Sequence, residues 1–525
     1  MNIPVTPLMW TAAFLPVLVL LILMVKCNWS AWAAAIAGLV ITVITSRILY
    51  KASWKLLILE SKKGVWNSLS IILIIGTSLL MYQVSEEAGA FLVIRSGMQT
   101  LFPNELLRII AMGWAFESFL QGITGFGVPV VVGTPLLVGI GVSPGWAVAI
   151  ALLGQSWGNT FGTLAAAWDA LVMSCGLKTG SAGYLQTALW TAAFILIWNA
   201  VIGFTICWFY GRKTALKKGI PIILLMVIFQ GGGELFMSQI NTTLACFLPS
   251  LAALFAVLFM SRSNLYKEEW QIEASQIMEP ARMGKALKEY HQVGQSTQAK
   301  KNSEILEQSV SDMSLLEALV PFVLLSIITL MGLLVKPLHS FLGPFAHPAM
   351  FLSVTSFVSL IYYRKHSWIK GSFAGIFRKS FRRMLPSGTA VIVLIIMAKL
   401  MSGTGQTMVM ADGIARTFKT AYVILAPLIG LLGTFMTGSN MSSNILFGDF
   451  QLTTAQLLKL DSAMILAAQS AGGSIGSSLS PSNIALGTAA AGKPGSEGKI
   501  MKTMIPVTVP ALLLIGGILL AYQIM

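Results

Sequence analysis

The sequence predicts an all-α polytopic membrane protein, and three observations support this fold class. Of the 525 residues, 55% are hydrophobic and only 10% are charged, whereas soluble domains carry about 25% charged residues. The mean hydropathy is +0.77, and the apolar residues form continuous runs, unlike the short alternating segments of a membrane β-barrel. At about 20 residues per crossing, these runs leave room for roughly 12–14 transmembrane segments.

The apolar runs define the predicted spans in chain order. The first run begins at Leu8, follows no basic segment and is long enough to cross a bilayer, so we expect a transmembrane helix and not a cleaved signal. The predicted spans are 8–25, 30–46, 66–83, 106–122, 145–165, 186–209, 219–236, 243–260, 315–335, 347–363, 385–401, 420–436, 460–472 and 503–523. Spans near 120–170 and 430–490 are interrupted by Gly, Ser, Asn and Pro, which predicts a broken or re-entrant helical hairpin in each region, with polar helix breaks around 122–128 and 438–444.

A long polar stretch divides the chain into two halves. Residues 262–313 hold seven basic and eight acidic residues and are rich in Gln and Ser, a composition typical of a solvated linker. The predicted domains are an N-terminal transmembrane repeat over 1–261, this polar cytoplasmic linker over 262–313, and a C-terminal transmembrane repeat over 314–525.

Three short segments account for the charge of the chain. Residues 47–63, 212–218 and 364–383 together hold sixteen basic residues and one acidic residue, which equals the whole net charge of +15. Basic residues clustered between apolar spans are explained by the positive-inside rule, so we expect a multi-pass protein of the plasma membrane, of the bacterial inner-membrane type, that binds no nucleic acid.

Two polar segments occur once in each half. Residues 155–164 read QSWGNTFGTL and residues 469–479 read QSAGGSIGSSL, so that Gln-Ser recurs at an offset of 314; ITGFGVP at 123–129 matches MTGSNMS at 436–442 at an offset of 313. Two matches in the same order indicate an internal repeat, which in a polytopic protein is typical of transporters with the substrate site at the repeat interface. The basic segments 47–63 and 364–383 are about 317 residues apart and so occupy equivalent places. If both are cytoplasmic, the repeats are parallel; in the inverted orientation, which we favour, one of them lies on the outer face.

The first repeat contains a carboxylate beside a glycine-rich helix break. Glu117 and Gln121 are four residues apart and share a helix face. A carboxylate at membrane depth costs about 3 kcal/mol, so Glu117 is expected to be a protonatable group or an ion ligand; the alternative is a carboxylate near a span end that faces water. The glycines of GITGFG would expose backbone N–H groups that attract an anion, or would allow close helix packing.

The second repeat supplies uncharged hydrogen-bonding groups in TGSNMSSN at 437–444. Hydroxyls and amides suit a small hydroxylated anion and equally suit Na⁺, while a polar turn outside the membrane is the alternative. The predicted substrate-binding residues are Gln121, Thr124, Gly125, Phe126, Gly127, Thr437, Gly438, Ser439, Asn440, Ser442, Ser443 and Asn444. The predicted supporting polar residues are Gln155, Ser156, Asn159, Thr160, Gln469, Ser470, Ser474 and Asn483.

Other polar residues give weaker indications. Lys399 is either a counter-ion for the substrate or a lysine that reaches the membrane surface, and the role of Asp169 is open. The four cysteines and four histidines show no metal-like spacing, and the sequence contains no nucleophile–base pair or phosphate loop. We therefore expect neither an enzyme nor a metal site, and no cofactor other than a coupling ion, H⁺ or Na⁺.

Several segments resemble the lactate permease family. They are FLQGITGFGVPV at 119–130, TGSNMSSNILF at 437–447, Gln-Ser-Ala-Gly-Gly at 469–473 and Leu-Ser-Pro-Ser-Asn at 479–483. The resemblance covers most of the chain, and it implies uptake of L-lactate, glycolate or other short 2-hydroxy monocarboxylates together with protons. The chain is also similar, more remotely, to ion transporters whose repeats each contain a re-entrant hairpin.

One departure from the family bears on coupling. Members of the family often have Glu where this chain has Gln121, and Gln cannot carry a proton, so either Glu117, one turn earlier, takes that role or coupling differs in this protein. The predicted function is secondary active uptake of L-lactate or a related 2-hydroxy monocarboxylate by proton symport. The alternatives are a Na⁺-coupled transporter of another small organic or sulfonated anion and, from another class, an anion channel. The expected partners are the small organic anion and the lipid bilayer, and the oligomeric state stays open, with a homodimer as one option.

Overall fold

The all-α class is confirmed by the structure, a computed structural model that describes residues 6–27, 29–125, 127–272, 275–279, 313–334, 347–493 and 495–524. These residues are mostly helical, with an isolated β-bridge between Val142 and Met278. Within them, nine helical stretches are long and apolar enough to cross a membrane, and three shorter apolar helices accompany them. The chain is therefore a polytopic α-helical membrane protein.

The N-terminal half contains ten helices within the described residues. They are α1 (Pro7–Val25), α2 (Ala31–Ile48), α3 (Trp54–Glu87), α4 (Ala90–Leu101), α5 (Glu105–Ile123), α6 (Val128–Gly139), α7 (Pro144–Ser156), α8 (Gly162–Cys175), α9 (Ala182–Ile240) and α10 (Phe247–Met260). Two predicted spans, 186–209 and 219–236, both belong to α9, which bends where Gly211 and Arg212 leave helical backbone angles. The basic segment 212–218 is consequently helical and does not form a separate loop.

The C-terminal half repeats the succession of the first. After a short turn at Leu315–Ala318 it contains α11 (Val320–Leu334), α12 (Pro348–Lys365), α13 (Phe373–Gly403), α14 (Gln406–Phe418), α15 (Tyr422–Thr437), α16 (Asn440–Leu457), α17 (Ser462–Gly476), α18 (Pro481–Ala490) and α19 (Glu497–Ile524). Each half has a long helix (α3, α13), a short helix that follows a left-handed glycine (α4, α14), a helical hairpin (α5–α6, α15–α16) and a broken helix (α7–α8, α17–α18). The predicted halves are thus two copies of one arrangement.

Serine residues begin the long helices. The hydroxyls of Ser53, Ser181 and Ser372 accept hydrogen bonds from the backbone N–H three residues later, at the starts of α3, α9 and α13. Such N-caps satisfy a donor that the first helical turn leaves unpaired, and each contributes about 1 kcal/mol. The same chemistry therefore fixes the starts of the equivalent helices α3 and α13.

The equivalent helices α3 and α13 pack against each other and run antiparallel. Lys379, near the start of α13, donates to Glu87 at the end of α3 at 2.5 Å. At the opposite end, a Cβ on Gly403 would lie only 2.6 Å from Cγ of Glu60, near the start of α3. Opposite directions of equivalent helices are the arrangement of inverted repeats. The two basic segments at the starts of α3 and α13 lie at opposite ends of this pair, so the positive-inside rule applies to only one of them.

The described part of segment 262–313 packs against the N-terminal half. The hydroxyl of Tyr266 donates to the backbone carbonyl of Lys218 at 2.6 Å, and that of Ser275 donates to the carbonyl of Tyr210 at 2.6 Å. Trp270 accepts a hydrogen bond from the backbone N–H of Glu105, the first residue of α5. Residues 262–272 and 275–279 thus lie over the bend of α9, while 280–312 lie outside the described residues.

Candidate functional site

The tip of the first hairpin separates α5 from α6. Helix α5 ends at Ile123, Thr124 is extended, and Gly127 adopts a left-handed conformation with φ of 81° that starts α6. Pro129 in the first turn of α6 lacks an N–H group that the helix end would leave unpaired. The break predicted around 122–128 therefore occupies 124–127, of which Phe126 lies outside the described residues.

The tip of the second hairpin is shorter than predicted. The sequence predicted a break over 438–444, but only Gly438 and Ser439 are non-helical, and residues 440–444 form the start of α16. Gly438 alone reverses the chain because it adopts φ of 74°, and the Ser439 hydroxyl caps α16 by accepting from the N–H of Ser442 at 3.4 Å. A compact turn with a cap needs no further unwound residues.

The broken helices follow each hairpin. Helix α7 continues as a 3₁₀ turn over Trp157–Asn159, and α17 as one over Ser477–Leu479. The backbone of α8 then takes left-handed angles at Thr163, Leu164 and Ala165, with φ between 51° and 68°. Left-handed angles cost roughly 1–2 kcal/mol for a residue with a Cβ, and such strain tends to occur at functional sites. Both helices are thus interrupted at equivalent places, and the first interruption holds strained backbone.

Each broken helix reaches the hairpin of the other half. Helix α8 packs against α16, and α18 packs against α6. The breaks meet directly, because Asn159 Nδ2 donates to Ser477 Oγ at 2.6 Å and Ser474 Oγ donates to the carbonyl of Ser156 at 2.7 Å. The two repeats therefore interlock around a shared centre.

A cavity of about 230 Å³ opens at this centre. The first residues of four helices line it, at the starts of α2, α6, α16 and α18, together with one side of α13 and the breaks. A helix N-terminus presents unpaired N–H groups and a partial positive charge, so their combined field favours an anion. None of the lining residues that the structure describes carries a charged side chain.

The cavity brings together about half of the residues predicted from the sequence. Those that line it are Gln121, Gly125, Gly127, Gln155, Asn159, Thr437, Gly438, Ser439, Asn440, Ser442 and Asn483. Those that do not line it are Glu117, Thr124, Ser156, Thr160, Ser443, Asn444, Gln469, Ser470 and Ser474. The sequence did not point to the wall from α2 and α13, with Ser30, Trp32, Pro386, Ser387, Ala390 and Val391, and α8 also lines the cavity with Gly162, Thr163, Ala166 and Ala167.

Several of the predicted residues that do not line the cavity form a buried hydrogen-bond network behind it. Asn444 Nδ2 donates to the carbonyl of Ala167 at 2.9 Å and to Ser470 Oγ at 3.0 Å. Gln469 Nε2 donates to Ser443 Oγ at 3.0 Å. Asn440 links the network to the cavity, because its Nδ2 donates to Thr160 Oγ1 at 3.0 Å. These hydrogen bonds tie α8, α16 and α17 together around the site, and the Oδ1 atoms of Asn440 and Asn444 have no partner among the described residues.

Two fully buried carboxylates have no hydrogen-bond partner among the described residues, Glu117 on α5 and Glu234 on α9. The Glu117 carboxylate lies against α6, where a Cβ on Gly133 would be 1.6 Å from Oε1, so that only glycine leaves room for it. Sequence reasoning missed Glu234, although the same signal was present: a lone carboxylate inside the predicted span 219–236.

Lys399 and Asp169 lie outside the cavity lining. Lys399 Nζ donates to the carbonyl of Met173 at 3.3 Å, near the C-terminal end of α8, where a cation interacts favourably with the helix dipole. No group of three or more His, Cys, Asp or Glu side chains in the described part of the chain could hold a metal ion.

Comparisons with known proteins identify the family. A model of the L-lactate permease family matches residues 10–366 and 334–525. The chain is similar to the L-lactate permease of Halalkalibacterium halodurans, at 25% identity over 93% of this chain and 92% of the relative. It is also similar to the L-lactate permease of Bacillus subtilis, at 24% identity over 96% and 94%, and to the glycolate permease GlcA of Escherichia coli K12, at 24% identity over 84% and 81%.

Among solved structures, the chain is similar to the YdaH transporter of Alcanivorax borkumensis, with a TM-score of 0.41, 11% identity, and coverage of 89% of this chain and 87% of that one. The family match covers nearly the whole sequence, and its relatives are named permeases. The chain therefore belongs to the L-lactate permease family and is a multi-pass transport protein of the plasma membrane.

Proposed function

We propose that this protein takes up L-lactate, or a related short 2-hydroxy monocarboxylate, by proton symport. The observation that supports this best is the uncharged cavity at the meeting point of four helix N-termini. Backbone N–H groups at these termini suit one carboxylate, and the hydroxyl and amide side chains suit a neighbouring hydroxyl. The names of the relatives, L-lactate permease and glycolate permease, agree with this substrate class.

The substrate would lie between the two hairpin tips. Its carboxylate is expected near Ser439, Asn440 and Ser442 at the start of α16, and its hydroxyl near Gln121, Gln155 and Asn159. Because both repeats contribute donors, binding would bring the halves together around the anion, as a transporter that alternates between two states requires.

Glu117 would carry the coupling proton. Its carboxylate is buried without a described partner, and a neutral acid is far less costly than an anion at this depth. Helix α5 bears both Glu117 and the cavity residue Gln121 one turn later, so protonation and substrate binding act on the same helix. Symport then follows if the loaded hairpin moves only when Glu117 is neutral.

Transport into proteoliposomes tests the proposal. Labelled L-lactate is supplied with an inward H⁺ gradient or an inward Na⁺ gradient, each imposed alone, and accumulation driven by H⁺ is the expected result. Accumulation driven only by Na⁺ would keep the substrate and contradict the proton, and a flux that does not saturate would favour a channel. In a second step, E117Q should lose accumulation but keep exchange of internal for external lactate. The matched control is E60Q, because Glu60 is also buried but is paired with Lys63 at 2.6 Å.

A further inference from the structure

A second buried polar cluster lies in α9, outside the cavity. It consists of Asn199 on the first part of the helix and of Gln230 and Glu234 on the second part, and all three side chains are fully buried. Asn199 Nδ2 donates to Gln230 Oε1 at 2.9 Å. Among the described residues, Asn199 Oδ1, Gln230 Nε2 and both oxygens of Glu234 have no hydrogen-bond partner. The cluster therefore contains hydrogen-bond donors and acceptors without a described partner, among them both oxygens of a carboxylate.

The surroundings of Glu234 favour its neutral form. Helix α10, the turn Thr242–Leu244 and the first part of α9 pack against the helical segment Gly233–Ile240 that bears it. The buried thiol of Cys246 lies directly before α10, and no ion pair involves Glu234 among the described residues. A buried carboxylate without a cation is costly as an anion, and binding a proton removes that cost.

Cys246 links the surroundings of this carboxylate with the cavity. It lies between the turn Thr242–Leu244 and α10, and both pack against the helical segment Gly233–Ile240 that bears Glu234. The Sγ atom of Cys246 lies 2.7 Å from the position that a Cβ on Gly158 would take, and Cγ of Gln121 lies 3.1 Å from the same point. Gly158 belongs to the 3₁₀ turn of the first broken helix, and Gln121 lines the cavity. Cys246 thus adjoins both the elements packed around Glu234 and the residues at the cavity.

The helix geometry next to Glu234 also occurs next to Glu117. A six-residue π-helical segment, Val227–Gly232, directly precedes the turn that bears Glu234, and another, Ala111–Phe116, directly precedes Glu117. Both π-helical segments pack against α10. Insertions of this kind are frequent at functional sites because they redirect the side chains that follow. Each of the two unpaired carboxylates therefore follows a π-helical segment, and both segments are supported by α10.

We propose that Glu234 is a second proton-binding site, which holds a proton at rest and exchanges it with the cavity past Cys246 and Gln121. Release leaves the Glu234 carboxylate and transfers the proton to a water molecule in the cavity, and the reverse step, from that hydronium ion, restores the acid. The inference rests on the proposed proton symport, and it makes Glu234 a source of protons that is separate from Glu117.

The test compares E234Q with the control E60Q in proteoliposomes. E234Q should lower H⁺-driven accumulation of lactate at least tenfold and should leave lactate exchange within about twofold of the wild-type protein, because amide and carboxylic acid have the same shape. E60Q should accumulate lactate normally. Accumulation by E234Q at the wild-type rate would overturn the proposal, as would an E234Q protein that no longer exchanges lactate, because that result would assign Glu234 to the structure of the site.

An infrared measurement separates this proposal from the proposed function. A protonated buried carboxyl gives a carbonyl stretch that shifts on deuteration, and this band should be present in the wild-type protein and in E60Q but reduced in E234Q. If the wild-type protein shows no H⁺-driven uptake, symport fails, and the band alone decides whether Glu234 binds a proton. A spectrum unchanged by E234Q would overturn the inference even if symport is found.

Discussion

Replacing Asn440 by Asp tests whether the substrate carboxylate lies at the start of α16. Asn440 is the first residue of α16 and lines the cavity. Aspartate has the same shape, and the hydrogen bond to Thr160 Oγ1 can be kept if the Thr160 hydroxyl donates to the new carboxylate. The change therefore adds one negative charge to the site and leaves its geometry almost unaltered.

The size of the effect follows from Coulomb's law. Two negative charges about 4 Å apart repel by about 1 kcal/mol in bulk water and by about 4 kcal/mol at an effective dielectric constant near 20. No cationic side chain lines the described cavity, so the added charge has no local compensation. Since 1.4 kcal/mol corresponds to a factor of ten, lactate affinity should fall by about 5-fold to 700-fold.

Binding to the purified protein provides the assay, with the neutral amide of lactate as a second ligand. N440D should weaken lactate binding strongly and change amide binding by no more than a few-fold, because only lactate carries the charge. N241D is the matched control, since Asn241 also starts a helical turn, with its Oδ1 accepting from Thr243 N–H at 3.0 Å, but lies outside the cavity. Unchanged lactate affinity in N440D, or equal losses for both ligands, would refute the placement of the carboxylate.

Three further predictions concern packing, substrate size and Lys399. G472A should lower the thermal stability of the detergent-solubilised protein, because the new Cβ would lie 2.1 Å from a carbonyl oxygen of α15 and overpacking costs about 1–3 kcal/mol; G517A, with open space around it, should be neutral or stabilising by up to about 1 kcal/mol. W32A should enlarge the cavity and raise uptake of longer 2-hydroxy acids relative to lactate, and unchanged relative rates in competition assays would contradict this. K399M should leave lactate affinity within about twofold, because Lys399 bonds to the end of α8 and not to the cavity; a loss of tenfold or more would make it a counter-ion.

The sequence predicted the features that depend on local chemistry. The apolar runs predicted a membrane protein, because a span needs a minimum apolar length. The glycine-rich breaks located both hairpin tips, because a sharp reversal needs a left-handed residue such as Gly438. The predicted length of the second tip was wrong, because Ser439 caps α16 and the polar residues that follow it are helical. Composition does not separate a polar helix start from an unwound loop.

The cavity wall from α2 and α13 could not be predicted in the same way. Trp32 and Val391 are ordinary apolar residues in ordinary spans, and they reach the site only because helices far apart in sequence pack together. Polar residues such as Asn444 were recognised as unusual, but local sequence does not tell whether they face the cavity or a hydrogen-bond network. Glu234 carries the same sequence signal as Glu117, because each is a lone carboxylate inside a predicted span.

The antiparallel pairing of α3 and α13 bears on how this protein would reach its other transport state. Two halves of one arrangement, facing opposite membrane surfaces, at present differ in local shape: the first broken helix contains the left-handed turn at Thr163–Ala165, whereas the second enters α18 through Pro481. If each half adopted the shape now held by its counterpart, the cavity would open towards the other surface with the same kinds of contacts. The duplicated chain thus contains a structural template for its own opposite conformation, and two states built from such equivalent contacts would be close in free energy.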